Sequence, residues 1–519
     1  MPAELVENIV LSLTLHEICA FRLANRSIAS KASQDHFRSF YRSKRVDVDE
    51  HGLKDFVAVT ANGGMGCLID DFTLTGLVYN SFYIQHQLRS GNVKEVSEVS
   101  DGGHITQNWR VLTDQERGAL QRQLNTFRRR EQAQMHFLQS EDAQRLLVKA
   151  FRNILKGRTP EKSLSLTLDL AVYREDALIR STPLGGGSWR MIWQSAADTF
   201  QLVQDALDRT MLPVHNLRIF PVYGKSGQKR SSLACNEIGP IIKYSGLESC
   251  LAKLKSLTLT YSDRSILSDD RDVELVDAWD KVEIARQRHG HRGILKQTLE
   301  AADQSNFTGV LSFVQACHSL EELDIHRYCL TTGAGSTGNT QGDKTSHLLF
   351  TRLTLPHLRD CRLRGFRAGS DNTVSFLQRH RLHKLLLKNF ALSAGSFRII
   401  FNHCTGDGEN MEPGQPDLDR IEFVDLFEER NEEFGIAGNN SNRPQLVLFS
   451  GPDQEHDSDI GGLRDKNMIQ RWSSGTKRPI QYTTQDYRNG FIQGNLRTWN
   501  EWHRGLNEEF GPPDYSKSY

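Results

Sequence analysis

The sequence lacks features that would each point to a particular class of protein. Its 64 Lys and Arg residues balance 64 Asp and Glu residues, so the net charge of zero gives no electrostatic case for nucleic acid or an anionic membrane. No apolar run is long enough to cross a bilayer, and residues 1–26 lack the basic start, apolar core and cleavage site of a signal peptide. We therefore expect an intracellular protein, cytoplasmic or nuclear.

Cysteine is scarce and scattered. The eight Cys residues include no C-x-x-C pair, which in a chain of 519 residues indicates reduced, mostly buried thiols rather than a disulfide framework. Cys317, His318, His326 and Cys329 are close in sequence and suggest zinc, but they flank an apolar run whose pattern already accounts for them. We expect no metal and no cofactor.

Recognisable catalytic motifs are also missing, including G-x-S-x-G and H-E-x-x-H. Gly333, Gly335 and Gly338 have the G-x-G-x-x-G order of a dinucleotide fingerprint, but such a site needs a helix to begin there. Residues 339–343 have no apolar period and predict a flexible loop, which disfavours a nucleotide site. The run "PDQEHDSD" is similar to a calcium loop but has Ser458 at the position where glycine is required. We expect that the protein is not an enzyme.

The chain opens with short amphipathic helices. Apolar side chains recur on one side of the first helix: Leu5, Val6, Ile9, Val10 and Leu13. Thr14 and Glu17 form a T-x-x-E capping box for a second helix, Asn25 suits the cap of a third, and a fourth is predicted over residues 33–43. Helices this short cannot enclose all their apolar side chains, so either the rest of the chain or another protein covers the remainder.

From residue 46 to about residue 430, helix and strand patterns alternate. The capping box of Thr113 and Glu116 begins one amphipathic helix, and Ser140 caps another that runs to Gly157. Strand, helix and strand in one direction predict an α/β (or α+β) fold with parallel strands.

One spacing, L-x-x-L-x-L with apolar replacements, recurs five times in this region. The copies are Leu254–Leu257–Leu259, Leu320–Leu323–Ile325, Leu358–Cys361–Leu363, Leu382–Leu385–Leu387 and Leu418–Ile421–Phe423. The third positions are 66, 38, 24 and 36 residues apart, and only one interval falls within the period of roughly 20–29 residues of a regular leucine-rich repeat. We predict an irregular leucine-rich-repeat-like solenoid with long insertions; the alternative is an ordinary α/β domain with leucine-rich strands.

The pattern ends near residue 430. Residues 431–519 are polar and rich in turn residues, and predict an irregular, partly disordered C-terminal region. A terminal helix over residues 494–510 would dock Trp499 and Trp502. The predicted domains are therefore a helical domain over 1–45, the repeat-like domain over 46–430 and this region.

The stretch "MPAELVENIVLSLTLHEICAFRLANRSIAS" resembles the F-box over about thirty positions. The matching positions are Pro2, Glu4 and Leu5 at the start, then Ile9, Leu13, Ile18, Phe21 and Leu23, and finally the pair Asn25 and Arg26. Met1 stands where the motif has leucine, and Ile28 stands where many members have tryptophan. The whole is similar to fungal F-box proteins that continue into divergent leucine-rich repeats.

This resemblance implies an adaptor that selects substrates for a Skp–cullin–F-box ubiquitin ligase, in the ubiquitin-like conjugation pathway. The N-terminal helices would bind a Skp-type adaptor, and through it a cullin–RING ligase, while the repeat surface would hold a target protein. The adaptor-binding residues that the resemblance implies are Pro2, Leu5, Ile9, Leu13, Leu15, Ile18 and Leu23. It implies no catalytic residue, no nucleic acid and no membrane.

Three other interpretations stay open. The N-terminal helices can be a cap on the repeats that has no partner. The chain can be a protein-binding repeat scaffold that recruits no ligase. It can also be an enzyme that uses the loop over residues 331–346.

Overall fold

The structure is a computed structural model that describes most of the first 405 residues and three strands beyond them. The described ranges are 2–61, 68–79, 81–97, 106–158, 164–173, 180–181, 189–221, 232–238, 245–262, 305–328, 337–405, 420–428, 445–446 and 480–482. The predicted terminal helix over 494–510, the calcium-like run and the predicted disorder of residues 431–519 lie outside these residues, apart from two short strands.

Four short helices come first: α1 (Ala3–Val10), α2 (Leu15–Ala24), α3 (Arg26–Lys31) and α4 (Asp35–Ser39). The predicted capping box is present, because Glu17 N–H donates to Thr14 Oγ1 at 3.4 Å and Thr14 N–H donates to the Glu17 carboxylate at 2.8 Å. Asn25 caps α3 by accepting from Ser27 N–H at 2.7 Å. The fourth helix is shorter than predicted, because Ser43 already begins the first strand.

The remaining helices are separated by strands in most of the chain. They are α5 (Glu50–Ala61), α6 (Phe82–Ser90), α7 (Asp114–Gln139), α8 (Glu141–Gly157), α9 (Trp189–Thr210), α10 (Ser245–Leu251), α11 (Ser305–Gln315), α12 (Thr337–Arg352), α13 (Ser370–Arg379) and α14 (Phe397–Thr405). The predicted caps of α7 and α8 are confirmed: Glu116 N–H donates to Thr113 Oγ1 at 3.3 Å, and Asp142 N–H donates to Ser140 Oγ at 3.4 Å.

The strands build one large sheet and a separate ribbon. They are β1 (Ser43–Asp47), β2 (Asp71–Tyr79), β3 (Asn92–Ser97), β4 (Thr106–Val111), β5 (Ser165–Tyr173), β6 (Arg180–Ser181), β7 (Asn216–Ile219), β8 (Leu233–Ala234), β9 (Ser256–Ser262), β10 (Glu322–Tyr328), β11 (Asp360–Arg364), β12 (Arg367–Gly369), β13 (Lys384–Ala394), β14 (Arg420–Glu428), β15 (Gln445–Leu446) and β16 (Ile480–Tyr482). The ribbon is the antiparallel pair β3–β4.

Strand order in the large sheet follows chain order. The main path is β1, β2, β5, β7, β9, β10, β11, β13 and β14, and every neighbouring pair along it is parallel. The short strands β6, β15 and β16 add antiparallel pairs, while β8 and β12 add parallel ones. The prediction of an α/β fold with parallel strands is therefore confirmed.

The repeated apolar spacing defines the register of this sheet. Leu323 pairs with Leu257 on one side and with Cys361 on the other, and Leu385 continues the row to Ile421. The hydrogen-bond pattern also repeats just before each strand. The N–H groups of four residues each donate, at 2.8 to 2.9 Å, to the carbonyl of the residue that precedes the neighbouring strand: Lys255, Glu321, Arg359 and His383.

Helices cover the face of the sheet on which this apolar row lies. Phe72 of β2, in the same row, contacts Phe56 of α5 with ring centroids 5.3 Å apart and Phe151 of α8 with centroids 5.6 Å apart. Along this face α5, α8, α9 and α10 pack each against the next, and so do α11 to α14. The alternate residues of the same strands form the opposite face, called the polar face here.

One local prediction is wrong. Residues 339–343, predicted to be a loop, lie in α12, which begins at Thr337. The expected lack of a helix after these glycines therefore no longer argues against a dinucleotide site. Gly333 and Gly335 lie outside the described residues. Nucleotide sites of this kind lie where the strand order of a sheet reverses. In the described sheet β10 has β9 and β11 on either side, so the strand order does not reverse there.

Candidate partner-binding surface

The four N-terminal helices, residues 2–41, form a small module with a core of its own. Its centre is Val6, Val10, Ile18, Ala32 and Phe37, all fully buried. None of these residues belongs to the core cluster beneath the large sheet. The module therefore has an apolar core separate from that of the sheet.

A second set of apolar side chains in the module is turned outward. Leu5 is 53% exposed, Ile9 is 41%, Leu11 is 58% and Leu23 is 88% exposed. These four residues are called the exposed apolar set. Leu5 and Ile9 are one helical turn apart in α1 and so are neighbours on its surface. In the part of the chain that the structure describes, nothing covers this set.

The structure divides the seven implied adaptor-binding residues into three groups. Pro2, Leu5, Ile9 and Leu23 are exposed, whereas Leu13 and Leu15 are partly buried against the core of the module. Ile18 is fully buried. Its assignment to a partner surface is corrected here, because a side chain with no exposed area has none to offer a partner and instead packs between α2 and its neighbours.

Two exposed residues were absent from the implied set. Leu11 follows the end of α1, and Phe40, 39% exposed, follows the end of α4. The exposure of Leu11 could have been found from the sequence. Leu11 ends the run "IVL", and one apolar stripe of a helix cannot bury three consecutive residues. Phe40 gave no such signal, because it lies among the apolar residues of a segment predicted to be wholly helical.

Polar contacts fix the helices that carry the exposed set. His36 N–H donates to Glu7 Oε1 at 3.1 Å, which ties α4 to α1. The Arg22 guanidinium lies 4.0 Å from the centre of the Phe37 ring, a cation–π contact between α2 and α4. Hydrogen bonds from the backbone and hydroxyl of Thr14 lower the pKa of Glu17, so the carboxylate that caps α2 is charged at neutral pH.

This arrangement has a physical consequence. Transferring a fully exposed leucine or isoleucine side chain out of water contributes about 1.5–3 kcal/mol. The four side chains of the exposed apolar set are between 41% and 88% exposed, so burying each of them would contribute part of that free energy. A partner with an apolar groove would recover part of that free energy. Interfaces of this kind depend on a few anchors in the partner's pocket rather than on charge.

The polar face of the sheet offers a different chemistry. Arg45 Nη2 lies 2.6 Å from Asp169 Oδ2 across the intervening strand β2, and Arg364 Nη2 lies 2.7 Å from Asp324 Oδ1. Lys384 Nζ lies 2.9 Å from Asp360 Oδ2. These pairs join neighbouring or alternate strands, so this face presents an ordered array of both charges.

Of the residues that suggested zinc, Cys317 and His318 follow α11, and His326 lies in β10. Cys317 is fully buried, burial raises its thiol pKa, and its Sγ lies 3.4 Å from the Phe313 carbonyl oxygen. His326 is buried in β10, where desolvation lowers its pKa well below the usual value. Cys329 lies outside the described residues. Within those residues, no group of three His, Cys, Asp or Glu side chains is placed to hold a metal ion.

Comparisons with known proteins add no relative. No family model matches the sequence, and neither the curated proteins nor the solved structures contain a match. Across the described residues, no helix combines the length and the apolar character needed to cross a membrane.

Proposed function

We propose that this chain is a non-catalytic, substrate-recognition adaptor of a Skp–cullin–F-box ubiquitin ligase. One observation carries the proposal: the N-terminal module satisfies its core with one set of apolar side chains and exposes another set. The resemblance of residues 1–30 to the F-box supplies the identity of the partner, a Skp-type adaptor.

The proposal gives the two parts of the chain separate tasks. The module would insert Leu5 and Ile9 into a groove of the Skp-type adaptor, while the sheet would hold a target protein. The chain-order parallel sheet with a continuous row of helices on its apolar face supports an irregular leucine-rich-repeat solenoid for the second part. The chain would then accelerate ubiquitin transfer by raising the local concentration of target lysines near the charged enzyme, with no catalytic side chain of its own.

The test is co-purification from cells that express the full chain. We expect a Skp-type protein and a cullin to accompany the unmodified chain, and the double substitution Leu5→Asp with Ile9→Asp to remove both. The matched control places the same two charges on exposed apolar residues elsewhere, Met211→Asp with Ile399→Asp, and leaves the association intact. Circular dichroism checks that both variants fold.

The outcomes separate the remaining interpretations. A Skp-type protein without a cullin would make the chain a scaffold outside the ligase. No Skp-type protein with either the unmodified chain or the control would reject the proposal.

A further inference from the structure

The chain has a concentration of positive charge that its zero net charge conceals. Residues 117–158 contain ten Lys and Arg residues and three Asp and Glu residues, which gives this stretch a net charge of +7 and leaves −7 for the rest of the chain. A charge asymmetry within one chain indicates an interaction with a partner of opposite charge.

Four arginines spread much of this charge over the solvent-facing half of α7. Arg117, Arg122, Arg128 and Arg129 are exposed. With 3.6 residues per turn, Arg117 and Arg128 fall on one line along the helix, and Arg122 and Arg129 fall on a second line roughly 120° around the axis from the first. Arg117 and Arg129 are separated by roughly 18 Å along the axis. The buried residues Phe127 and Phe137 lie on the other half of the helix, and the buried Leu124 borders the line of Arg117 and Arg128.

Helix α7 has three acidic residues, of which Asp114 is exposed on the same half of the helix as the arginines. Glu116, in the first turn, is engaged by the capping box and by Arg110, whose Nη2 lies 2.6 Å from its Oε1. Glu131 is half-buried, and desolvation raises its pKa although Arg128 lowers it. Within the described residues, none of the four exposed guanidiniums takes part in an ion pair.

Helix α7 lies at the edge of the polar face. Phe127 makes an edge-on contact with Tyr79, with ring centroids 6.3 Å apart, and Tyr79 stacks on Tyr173 at 5.3 Å. These tyrosines end β2 and β5 on the face opposite Phe72. Gln134 of α7 also donates to the Val48 carbonyl at 2.5 Å. Helix α7 therefore borders the polar face at the carboxyl ends of its first strands, and the exposed arginines lie on the half of the helix that does not make these contacts.

We propose that the outer side of α7 binds an acidic polypeptide segment. The planar fork of arginine binds carboxylates with two hydrogen bonds, and every Lys or Arg position in α7 is arginine. An extended segment of about six residues matches the distance from Arg117 to Arg129. If this segment belongs to the ubiquitination target, that role rests on the proposed function, but the binding itself does not.

Two exposed apolar residues favour a polypeptide over a nucleic acid. Met135 is 48% exposed on the same line of α7 as Arg117 and Arg128, and Val111, just before the helix, is 72% exposed. Single-stranded nucleic acids bind through aromatic side chains on which bases stack, and both aromatic residues of α7 are buried.

The test is a titration of the full chain with a fluorescein-labelled peptide of about twelve glutamates, followed by anisotropy at about 50 mM NaCl. We expect saturable binding that weakens at least about tenfold when Arg117, Arg122, Arg128 and Arg129 are replaced by Gln. The matched control, Lys253, Arg352, Arg359 and Arg381 replaced by Gln, makes the same change in net charge at exposed positions elsewhere and should weaken binding less than about twofold.

Three results would overturn the inference: no binding of the peptide by the unmodified chain, an equal loss in the two quadruple variants, or tighter binding of a DNA oligonucleotide of similar charge than of the peptide. The quadruple α7 variant should still bind the Skp-type adaptor. This second measurement reports on the proposed function separately, because the exposed apolar set is unchanged.

Discussion

Leu5 and Val6 are neighbours in α1 but belong to different surfaces. Val6 is fully buried, whereas Leu5 is 53% exposed. Successive residues of a helix are about 100° apart, so adjacent apolar residues point in different directions. The inward residue stabilises the module and the outward residue is available to a partner. Stability and binding are therefore separable by substitution within one short helix.

Phe37 and Leu23 test this separation through stability. Phe37→Ala should lower the opening free energy of the module by about 3–5 kcal/mol, because Phe37 is fully buried at its centre. Leu23→Ala should change it by less than about 0.5 kcal/mol, since this side chain is 88% exposed. Hydrogen exchange of the α1–α4 amides measures both. An equal effect of the two substitutions would mean that Leu23 is covered by the chain itself.

Glu116 gives the first turn of α7 a dependence on pH. Hydrogen bonds from Arg110 and Thr113 lower its pKa from 4.5 to about 2. A carboxyl group with a depressed folded pKa contributes stability that is fully present above its unfolded pKa and lost as the pH falls. The stabilisation of the unmodified chain relative to Glu116→Gln should therefore be present at pH 6 and should shrink at pH 3. Thermal midpoints of both proteins measure it; a difference that grows on acidification would contradict the assignment.

A feature of a single residue can be predicted from the sequence when the residues that cause it are close by in the chain. The caps at Thr14, Asn25, Thr113 and Ser140 were predicted because a cap needs only residues two or three positions away. The burial of Ile18 was not predicted. It depends on how α2 packs against the rest of the module, and no pattern within α2 specifies that packing.

The apolar row of the sheet is longer than the five copies in the sequence indicate. In the register, Leu257 pairs with Leu217, Leu217 with Leu166, and Leu166 with Phe72. The residues three positions before Phe72 and Leu217 are Ile69 and Val214. The spacing is therefore the same as in the five copies, but these residues are not leucine. A pattern defined by leucine misses these copies, although the pleat requires only an apolar side chain at each inward position.

Gly76 marks a close approach between β2 and α9. A Cβ atom at this position would lie 2.3 Å from Thr199 Oγ1 and 2.6 Å from Leu170 Cδ2. Gly76→Ala should therefore destabilise the chain by about 1–3 kcal/mol. Gly118→Ala is the matched control in α7, where the nearest atom would be Arg122 Nη1 at 3.7 Å, and it should stabilise by about 0.5–1 kcal/mol. Denaturant unfolding measures both, and destabilisation by Gly118→Ala would argue against an exposed helical position.

Helix α12 shows why one element was missed. Its first residues are polar and include two glycines, whereas its buried residues, Leu349 and Phe350 among them, are near its end. Tertiary packing of the last turns extends a helix into a polar segment that has little propensity of its own. Periodicity in the sequence cannot reveal such an extension.

At the scale of the whole molecule, the described chain has two main apolar cores. The core of the module shares no residue with the core beneath the sheet, and a smaller cluster around Phe127 lies where α7 meets β2. The chain-order parallel arrangement was predictable because alternating helix and strand patterns in one chain favour it. The separation of the cores was not, because the sequence does not say which apolar residues are shared between neighbouring parts.

Deletion of residues 1–41 tests whether the cores are independent. The shortened chain should keep its far-ultraviolet circular dichroism apart from the lost helices, and its thermal midpoint should change by only a few degrees, since no residue of the sheet core is removed. It should also lose the Skp-type adaptor. A chain that unfolds on deletion would show that the module is a structural cap on the sheet.

Charge is the property that whole-chain composition represents least well. Zero net charge argued against an anionic partner, yet the stretch from residue 117 to 158 has a net charge of +7. Averaging over 519 residues removes such a difference, and only the placement of four arginines on the solvent-facing half of α7 shows that it forms a surface.

Hydroxyl-radical footprinting of the full chain, with and without a purified Skp-type adaptor, tests most directly whether another polypeptide completes the module. Leu5, Ile9, Leu11 and Leu23 should be oxidised in the free chain and protected in the complex, while the exposed Met211 is oxidised equally in both. Protection of these four residues in the free chain, or unchanged oxidation in the presence of bound adaptor, would contradict the account.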